Sequence, residues 1–410
     1  MTGDVAPPEL AWIGRRWALP GWVRALLIYA TIHGAMLLAF WFAWTLQGPN
    51  MSYYSDHEPS FGEFLAISWD GGWYREIAEH GYPAVLPLQP NGDVAQNPWA
   101  FYPLFPLIVR VVMLTSLPWT VAGPLVAFAL GALAAVLISA LVRQAAPAAT
   151  AARPGLPDLA VAGVAAFPGA GVFNVAYAES TALVFIAASL LLIHRRDYGW
   201  AMLTVTALGF ARAAALPMVI VVLWHGFRRW KDDRRSGRQW AASTWAWLAG
   251  LTAVTVLAGF AWPWITGAVT GRSDAYFATQ SAWREGVGSQ RPFVVFAARL
   301  ADWTGDFAMP LVLAACVAVI VISLSPAARM LGPELQAWGG AYLVFLLAAG
   351  ALSSSAPRFV LLSITVPMAV VAWSSRRWVQ VLMVVALLVS QVLWVTTIWV
   401  FASGGDAWPP

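Results

Sequence analysis

The apolar part of the chain begins with WVRALLIYATIHGAMLLAFWFAWTL (Trp22–Leu46), the stretch that indicates the class of protein. This run exceeds the ~20 mostly apolar residues that a helix needs to cross a bilayer, and it is too long for the apolar core of a cleavable signal. Arg15, Arg16 and Arg24 lie at its beginning. Because basic residues mark the cytoplasmic side, we expect a first membrane helix with a cytoplasmic N-terminus.

The composition of the whole chain is typical of a polytopic membrane protein. Of 410 residues, 60% are hydrophobic and only 11% are charged, unlike a soluble domain of this size. The single cysteine, Cys316, lies in an apolar run, so a disulfide framework is excluded. The net charge of +4 comes from short basic loops between apolar runs. Such loops indicate orientation and not a nucleic-acid partner.

Apolar runs predict about eleven membrane crossings. The predicted spans are residues 22–46, 119–142, 158–173, 180–194, 198–211, 214–227, 241–265, 307–324, 336–352, 357–373 and 378–402. The run 102–117 is punctuated by prolines and either spans the membrane or dips in and returns. We predict a re-entrant or surface-lying segment, because the basic loops then all fall on the cytoplasmic side. Those loops contain Arg143/Arg153, His194/Arg195/Arg196, Arg228 to Arg238, Arg329 and Arg376/Arg377.

The predicted fold is one all-α integral membrane domain over residues 1–410. A large first exterior loop, together with the re-entrant or surface segment, covers residues 48–118, and a second exterior loop covers residues 266–306. The stretch from Gly48 to Ala100 contains seven acidic residues and one arginine. This composition is the reverse of the basic cytoplasmic loops, so we place the first loop outside and expect short amphipathic helices in it.

Charged residues that are not orientation signals converge on the exterior face. They are Asp70 in SWDGGWYREIAEHGYP (Ser68–Pro83), Glu179 in an exterior turn, Arg212 where a short span turns back, and Arg358 at the start of the tenth span. Ionisable residues at the edges of apolar runs are costly, and they usually line a polar cavity or pair with each other. The sequence therefore predicts one site built from four distant segments.

Each of these residues also has a structural interpretation. Asp70 could cap a helix predicted to begin near Trp73, and Glu179 with Arg212 could form an ion pair inside the bundle. Arg358 follows a proline at a helix start, where a cation opposes the helix dipole, so an anionic partner is expected there. The sequence contains no P-loop, no GxGxxG after a strand, no HExxH and no metal-spaced cysteine or histidine cluster.

Five motifs in order resemble the PIG-V family, the second mannosyltransferase of GPI-anchor synthesis, and its bacterial relatives. The motifs are SWDGGWYREIAEHGYP with NPWAFYPLFPLIVRV, then FPGAGVFNVAYAES, ALGFARAAALP, YFATQSAW and APRFVLLSITVP. They extend from Trp69 to Pro367. The chain departs from the family pattern at Ala178, Ala213 and Ala214. These departures bear on the identity of the acceptor and the fine geometry of the site more than on the class of enzyme.

The resemblance implies a GT-C-type helical bundle in the cell membrane, with its active site on the exterior face. It implies polyprenyl-phosphate mannose as donor and a lipid-linked or cell-envelope glycan as acceptor. Transfer from a lipid phosphate needs a base and a positive pocket for the leaving phosphate. We predict Asp70 as base in a single inverting displacement, and Arg358, Arg212 and Arg75 at the phosphate. The predicted substrate contacts are Trp69, Trp73, Tyr74, His80, Tyr82, Tyr177, Glu179 and Gln280.

We expect no cofactor, because arginines can neutralise a monophosphate leaving group, although a divalent cation is compatible with the site. No nucleic-acid partner is expected. Three alternatives remain open at this stage: a GT-C transferase of another polyprenyl-phosphate sugar, a lipid or solute transporter, and a non-catalytic membrane scaffold. A transporter is expected to need charges accessible from both sides, and the sequence contains no evident internal repeat.

Overall fold

The computed structural model describes residues 19–47, 58–283, 308–349 and 354–400. These residues form helices and connecting turns without a β-strand, so the predicted all-helical architecture is confirmed for this part of the chain. Arg15, Arg16 and most of the predicted second exterior loop, from residue 284 onward, lie outside the described residues.

Eighteen α-helices and two short 3-10 helices make up the described residues. The α-helices are α1 (Gly21–Thr45), α2 (Phe61–Ile67), α3 (Asp70–His80), α4 (Leu104–Met113), α5 (Trp119–Ala145), α6 (Pro147–Ala152), α7 (Leu156–Ala165), α8 (Glu179–Arg195), α9 (Tyr198–Ala211), α10 (Ala215–Arg235), α11 (Ala242–Thr270), α12 (Ala275–Ser281), α13 (Ala308–Leu324), α14 (Pro326–Met330), α15 (Pro333–Ala349), α16 (Ala356–Leu361), α17 (Thr365–Ala372) and α18 (Arg377–Ile398). The 3-10 helices are Pro98–Ala100 and Pro168–Asn174.

Four of these helices, α1, α5, α11 and α18, are long and apolar enough to cross a membrane. Helix α7 and the 3-10 helix Pro168–Asn174 form a fifth span only if the 78° bend between them lies within one crossing. Helices at the other predicted spans are shorter, such as the 14 residues of α9. The helical membrane character is therefore supported, while the number of eleven crossings stays a prediction.

The run 102–117, predicted to be re-entrant or surface-lying, contains only the short helix α4, and the predicted span 357–373 is broken into two helices. Helix α4 has only 10 residues and is about 15 Å long, half the hydrocarbon thickness. The predicted span 357–373 consists of α16 and α17. Pro367 lies in the first turn of α17, where its missing N–H is tolerated, but its ring prevents the preceding helix from continuing through.

The basic loops meet at one end of the helix bundle. Arg24 at the start of α1 donates to Asp158 near the start of α7, with an Nε–Oδ2 distance of 2.7 Å. Arg143, near the end of α5, lies 3.6 Å from the same carboxylate. Glu179, at the opposite end of α8 from the basic His194–Arg196 turn, is about 22 Å from it along the helix. We call the end of the bundle that carries these basic residues the basic end.

A buried polar network ties α8, α10 and α15 together at the basic end. Glu334 Oε1 lies 2.9 Å from His225 Nδ1, and its Oε2 lies 3.4 Å from His194 Nδ1. The Tyr198 hydroxyl lies 3.1 Å from His225 Nε2. Because Glu334 is buried, these partners compensate the loss of its hydration.

The opposite end of the bundle depends on a close backbone approach at Gly169. A Cβ atom at this position would lie 2.4 Å from both Cα and N of Arg358 and from the carbonyl carbon of Pro357. The 3-10 helix Pro168–Asn174 therefore packs directly on the backbone of α16. The absence of a side chain at residue 169 thus allows the backbone of Arg358 to approach this closely.

We predict that Gly169→Ala destabilises the fold by about 1–3 kcal/mol or more, because a methyl group overlaps backbone that cannot rotate away. Gly155→Ala is the matched control, since a Cβ at Gly155 meets no atom within 4 Å. The measurement is the thermal unfolding midpoint of each purified variant in detergent. Equal midpoints for the two variants would contradict the close packing at Gly169.

Candidate functional site

Four charged side chains meet at the end of the bundle opposite the basic loops. Arg358 Nη1 donates to Asp70 Oδ2 at 2.5 Å and to Glu179 Oε1 at 3.0 Å. Arg212 Nη1 donates to the same Glu179 oxygen at 2.7 Å. These four residues, which we call the charged cluster, come together as the sequence predicts.

Burial makes the charged cluster unusual. Glu179 is 0% exposed, Arg358 is 6% exposed, and the side chains of Asp70 and Arg212 are 16% and 18% exposed. Buried charges are tolerated when they are paired and hydrogen-bonded. Two carboxylates facing two guanidinium groups balance the formal charge of the cluster. The ion pair between Glu179 and Arg212 that the structural interpretation predicted is therefore present, but as part of a larger group.

Glu179 is the first residue of α8, and this position lets its carboxylate contact both arginines. The preceding segment Pro168–Asn174 carries the chain to this end of the bundle, and α8 leads back toward the basic end. A carboxylate in the first turn of a helix is favoured by the helix dipole. Arg212 follows the last residue of α9, and Arg358 is the third residue of α16, so three helix ends deliver the three groups.

Two buried atoms of the cluster have no hydrogen-bond partner among the described residues. They are Arg358 Nε, a donor, and Glu179 Oε2, an acceptor. An unpaired buried polar atom costs about 1–3 kcal/mol. The cluster therefore keeps one donor and one acceptor that a bound polar ligand could satisfy.

The backbone that carries Asp70 is strained. Trp69 has φ 56°, a left-handed value that costs a non-glycine residue about 1–3 kcal/mol. The Gly71 N–H donates to the Ser68 carbonyl at 3.2 Å across this turn. The Asp70 N–H donates to the Tyr177 hydroxyl, also at 3.2 Å. The turn fixes Asp70 at the first position of α3.

The hypothesis that Asp70 caps a helix beginning near Trp73 is wrong. Helix α3 begins at Asp70 itself, and its N-cap residue is Trp69. Within the described residues, the Asp70 carboxylate bonds to the Arg358 guanidinium and to no backbone N–H. Sequence propensity does not indicate the sharp turn at Trp69. Because of this turn, the helix begins about one turn before the predicted start near Trp73.

Aromatic rings cover the two guanidinium groups. The Arg358 guanidinium carbon lies 5.2 Å from the Tyr177 ring centroid and 4.9 Å from that of Phe359. The Arg212 guanidinium carbon lies 5.0 Å from the same Phe359 ring. Such cation–π contacts hold arginines in place. Tyr177 was among the predicted contacts, whereas Phe359 was missed although it directly follows Arg358.

Two buried tyrosines lie near the cluster. Tyr74 lies near all four of its members, and Tyr342 lies near Arg212 and Glu179. Burial raises the pKa of the Tyr74 phenol above its ordinary value, so this group stays protonated and able to donate. Tyr74 was among the predicted substrate contacts, as one of the aromatic residues of SWDGGWYREIAEHGYP. Tyr342 was missed, because nothing in the local sequence of α15 distinguishes it from a packing residue.

Arg75 and His80 are not brought into the charged cluster. Arg75 Nε donates to Glu79 at 3.0 Å, and His80 Nδ1 lies 3.1 Å from Glu76, both as exposed pairs one turn apart on α3. The amphipathic helix directs these residues away from the side that carries Asp70 and Tyr74. Their assignment to the phosphate and sugar sites is therefore not supported by this geometry.

The other predicted contacts pack the first loop together. Tyr82 lies against Trp99 and Trp262, with ring centroids 4.5 and 4.9 Å away. Gln280 Nε2 donates to the Ala100 carbonyl at 3.1 Å, and the Trp73 ring stacks with Phe101. Trp69 is buried in the main core. These residues pack beside α3 and hold the first loop against the helices. Their contacts with a substrate stay predictions.

No known protein family matches the chain, and no curated protein matches it in sequence. The resemblance to the PIG-V family therefore rests on the ordered motifs alone and stays a prediction. Among the described residues, no group of three or more His, Cys, Asp or Glu side chains is arranged to hold a metal ion. The expectation that no metal is required is untested by this geometry.

We predict that Glu179→Ala destabilises the protein by about 3–5 kcal/mol, because it leaves two buried guanidinium groups without their shared acceptor. Glu79→Ala is the matched control, since it removes an exposed partner whose pair contributes about 1 kcal/mol or less. Thermal unfolding in detergent compares the two variants. A Glu179→Ala protein as stable as the control would contradict the electrostatic dependence of this end of the bundle.

Proposed function

We propose that this protein is an inverting membrane glycosyltransferase with a GT-C-type helical bundle. It transfers mannose from polyprenyl-phosphate mannose to a lipid-linked or cell-envelope glycan acceptor. The observation that carries the proposal is the buried charged cluster, in which Asp70 lies against an arginine that retains an unpaired donor atom. The ordered motifs that resemble the PIG-V family contain all four of its residues.

The proposed reaction is a single displacement at the anomeric carbon of the donor. The acceptor hydroxyl oxygen forms the new bond as the bond from this carbon to the phosphate oxygen breaks. Asp70 takes the hydroxyl proton, and the leaving phosphate keeps the bonding electron pair. Because attack and departure occur on opposite faces of the sugar, one carboxylate suffices and the configuration inverts.

The arginines stabilise the charge that develops on the leaving phosphate. Arginine remains charged and presents several donors in a planar fork, which suits phosphate oxygens. Arg358 and Arg212 converge on one oxygen of Glu179, so Glu179 acts as a positioning residue for both. Phosphate binding at Arg358 Nε would satisfy the unpaired donor and hold the leaving group beside the base.

Helix direction supports the proposed arrangement in the membrane. The basic end carries the arginine-rich turns, and the charged cluster lies at the other end of α8. Under the positive-inside rule the basic end is cytoplasmic, so the proposed active site is on the exterior face. About eleven crossings are proposed, with the short and broken helices supported by their neighbours inside the bundle.

A topology experiment tests this orientation. We predict that Val85→Cys, whose native side chain is 81% exposed in the first loop, reacts with an impermeant thiol reagent added to intact cells. Ser236→Cys, just after the basic end of α10, is expected to react only after permeabilisation. Labelling of position 236 in intact cells would overturn the orientation. The background is a Cys316→Ser variant.

The catalytic proposal is tested by Asp70→Asn. Asparagine keeps the size of the side chain and an oxygen that can accept from Arg358, but it cannot take a proton. We therefore predict a folded protein with a loss of turnover of about 100-fold or more. Asp93→Asn is the matched control, because Asp93 is exposed in the same loop and pairs only locally with Asn91. Donor binding and transfer are measured on the same preparations.

The outcomes of that experiment separate the competing functions. Wild-type turnover in Asp70→Asn would remove the residue from catalysis. Movement of donor across liposomes without any product, unchanged by the substitution, would favour a transporter. Transfer from another polyprenyl-phosphate sugar, still dependent on Asp70, would keep the mechanism and change only the sugar.

A further inference from the structure

A cavity of about 390 Å³ opens at the basic end, remote from the charged cluster. It lies where the end of α5 and helix α6 face α10, α14 and the start of α15. Its lining includes Ala145, Arg228, Arg329 and Gly332. Two arginines on different helices thus border a cavity whose lining contains no acidic residue.

The wall of this cavity is held by a close backbone contact. Gly332 has φ +105°, and a Cβ atom there would lie 2.7 Å from the Ala145 carbonyl oxygen. The turn between α14 and α15 therefore presses on the end of α5. Helix α14 is capped by Ser325, whose hydroxyl accepts from the Ala328 N–H at 3.1 Å. These contacts fix the position of the Arg329 backbone relative to α5.

The two arginines are available to a ligand. Arg228 and Arg329 are exposed, and neither side chain makes a hydrogen bond or ion pair with another residue in the described ranges. Glu334, the nearest acidic residue along the chain to Arg329, is engaged by His225 and His194. Two guanidinium groups without an acidic partner are a suitable receptor for a phosphoryl group.

A second, larger cavity at the basic end has an acidic residue in its lining, and one of its arginines already has a hydrogen-bond partner. It measures about 610 Å³ and is lined by Asp197 as well as by Arg196 and Arg229. Arg229 already donates to the Tyr198 hydroxyl at 2.9 Å. An anion would meet a carboxylate there, so the smaller cavity is the better anion site.

An apolar surface on α10 leads to the smaller cavity. Ile220, Trp224 and Arg228 are spaced four residues apart and share one face of the helix. Ile220 is 54% and Trp224 is 38% exposed, as expected for side chains that face lipid. A ligand that holds its phosphate at Arg228 can therefore lay an acyl chain along this face.

We propose that the cavity between Arg228 and Arg329 is a binding site for the phosphate headgroup of an anionic phospholipid. The guanidinium groups bind the phosphoryl oxygens, and the apolar face of α10 receives the acyl chain. Free inorganic phosphate shares the headgroup chemistry but cannot use the apolar face. The proposal does not depend on the glycosyltransferase function, because the cavity lies at the opposite end of the bundle from Asp70.

Binding is tested on the full-length protein purified in a neutral detergent. Short-chain phosphatidylglycerol, short-chain phosphatidylcholine and inorganic phosphate are titrated separately, and bound ligand is measured by native mass spectrometry. We expect saturable binding of phosphatidylglycerol. Arg228→Gln and Arg329→Gln are each expected to weaken it about tenfold, the scale of one charge-assisted contact. Lysine at either position should restore part of the affinity.

Arg376→Gln is the matched control, because it removes one exposed positive charge from the start of α18 without touching the cavity. Unfolding midpoints of all variants confirm that they are folded. Equal weakening by Arg376→Gln, or no weakening by Arg228→Gln and Arg329→Gln, would overturn the proposed site. Inorganic phosphate binding as tightly as phosphatidylglycerol, or phosphatidylcholine binding as tightly, would overturn the assignment to an anionic lipid.

Discussion

The end of the helix bundle that carries the charged cluster depends on one buried guanidinium group. Arg358 Nη1 donates to both Asp70 and Glu179, and these carboxylates come from segments that are far apart in sequence. Without Arg358, the Asp70 carboxylate at the start of α3 would lose its ion-pair partner, and the buried Glu179 at the start of α8 would keep only Arg212. Removing one partner of a buried ion pair costs about 3–5 kcal/mol. The bridge therefore sets where the first loop rests on the helix bundle.

Unfavourable local features surround this bridge and are consistent with a functional constraint. Trp69 adopts a left-handed backbone conformation, Gly169 admits a backbone contact that no other residue allows, and two polar atoms of the cluster remain unpaired. Stability alone would favour relieving each of them. Strain and unsatisfied polar groups persist where the surrounding structure enforces them, and they concentrate at functional sites.

Much of this arrangement could be predicted from the sequence because charge is rare in the apolar runs. The acidic first loop, the basic turns and the isolated Glu179, Arg212 and Arg358 indicated which residues meet. Hydropathy did not predict the breaks in the helices, since α7 and α16 end through local proline and backbone effects that leave the apolar pattern intact. Tyr342 and Phe359 could not be identified either, because their proximity to the charges arises from helix packing and not from local spacing.

The central claim, a single displacement with Asp70 as base, is tested most directly by the stereochemistry of transfer. Purified protein is incubated with short-chain polyprenyl-phosphate mannose and candidate lipid acceptors, and the product linkage is determined by mass spectrometry and NMR. The account predicts a mannosylated product whose anomeric configuration is opposite to that of the donor, with none formed by Asp70→Asn. Retention of the donor configuration would contradict it, because retention through a covalent intermediate requires a second carboxylate as nucleophile.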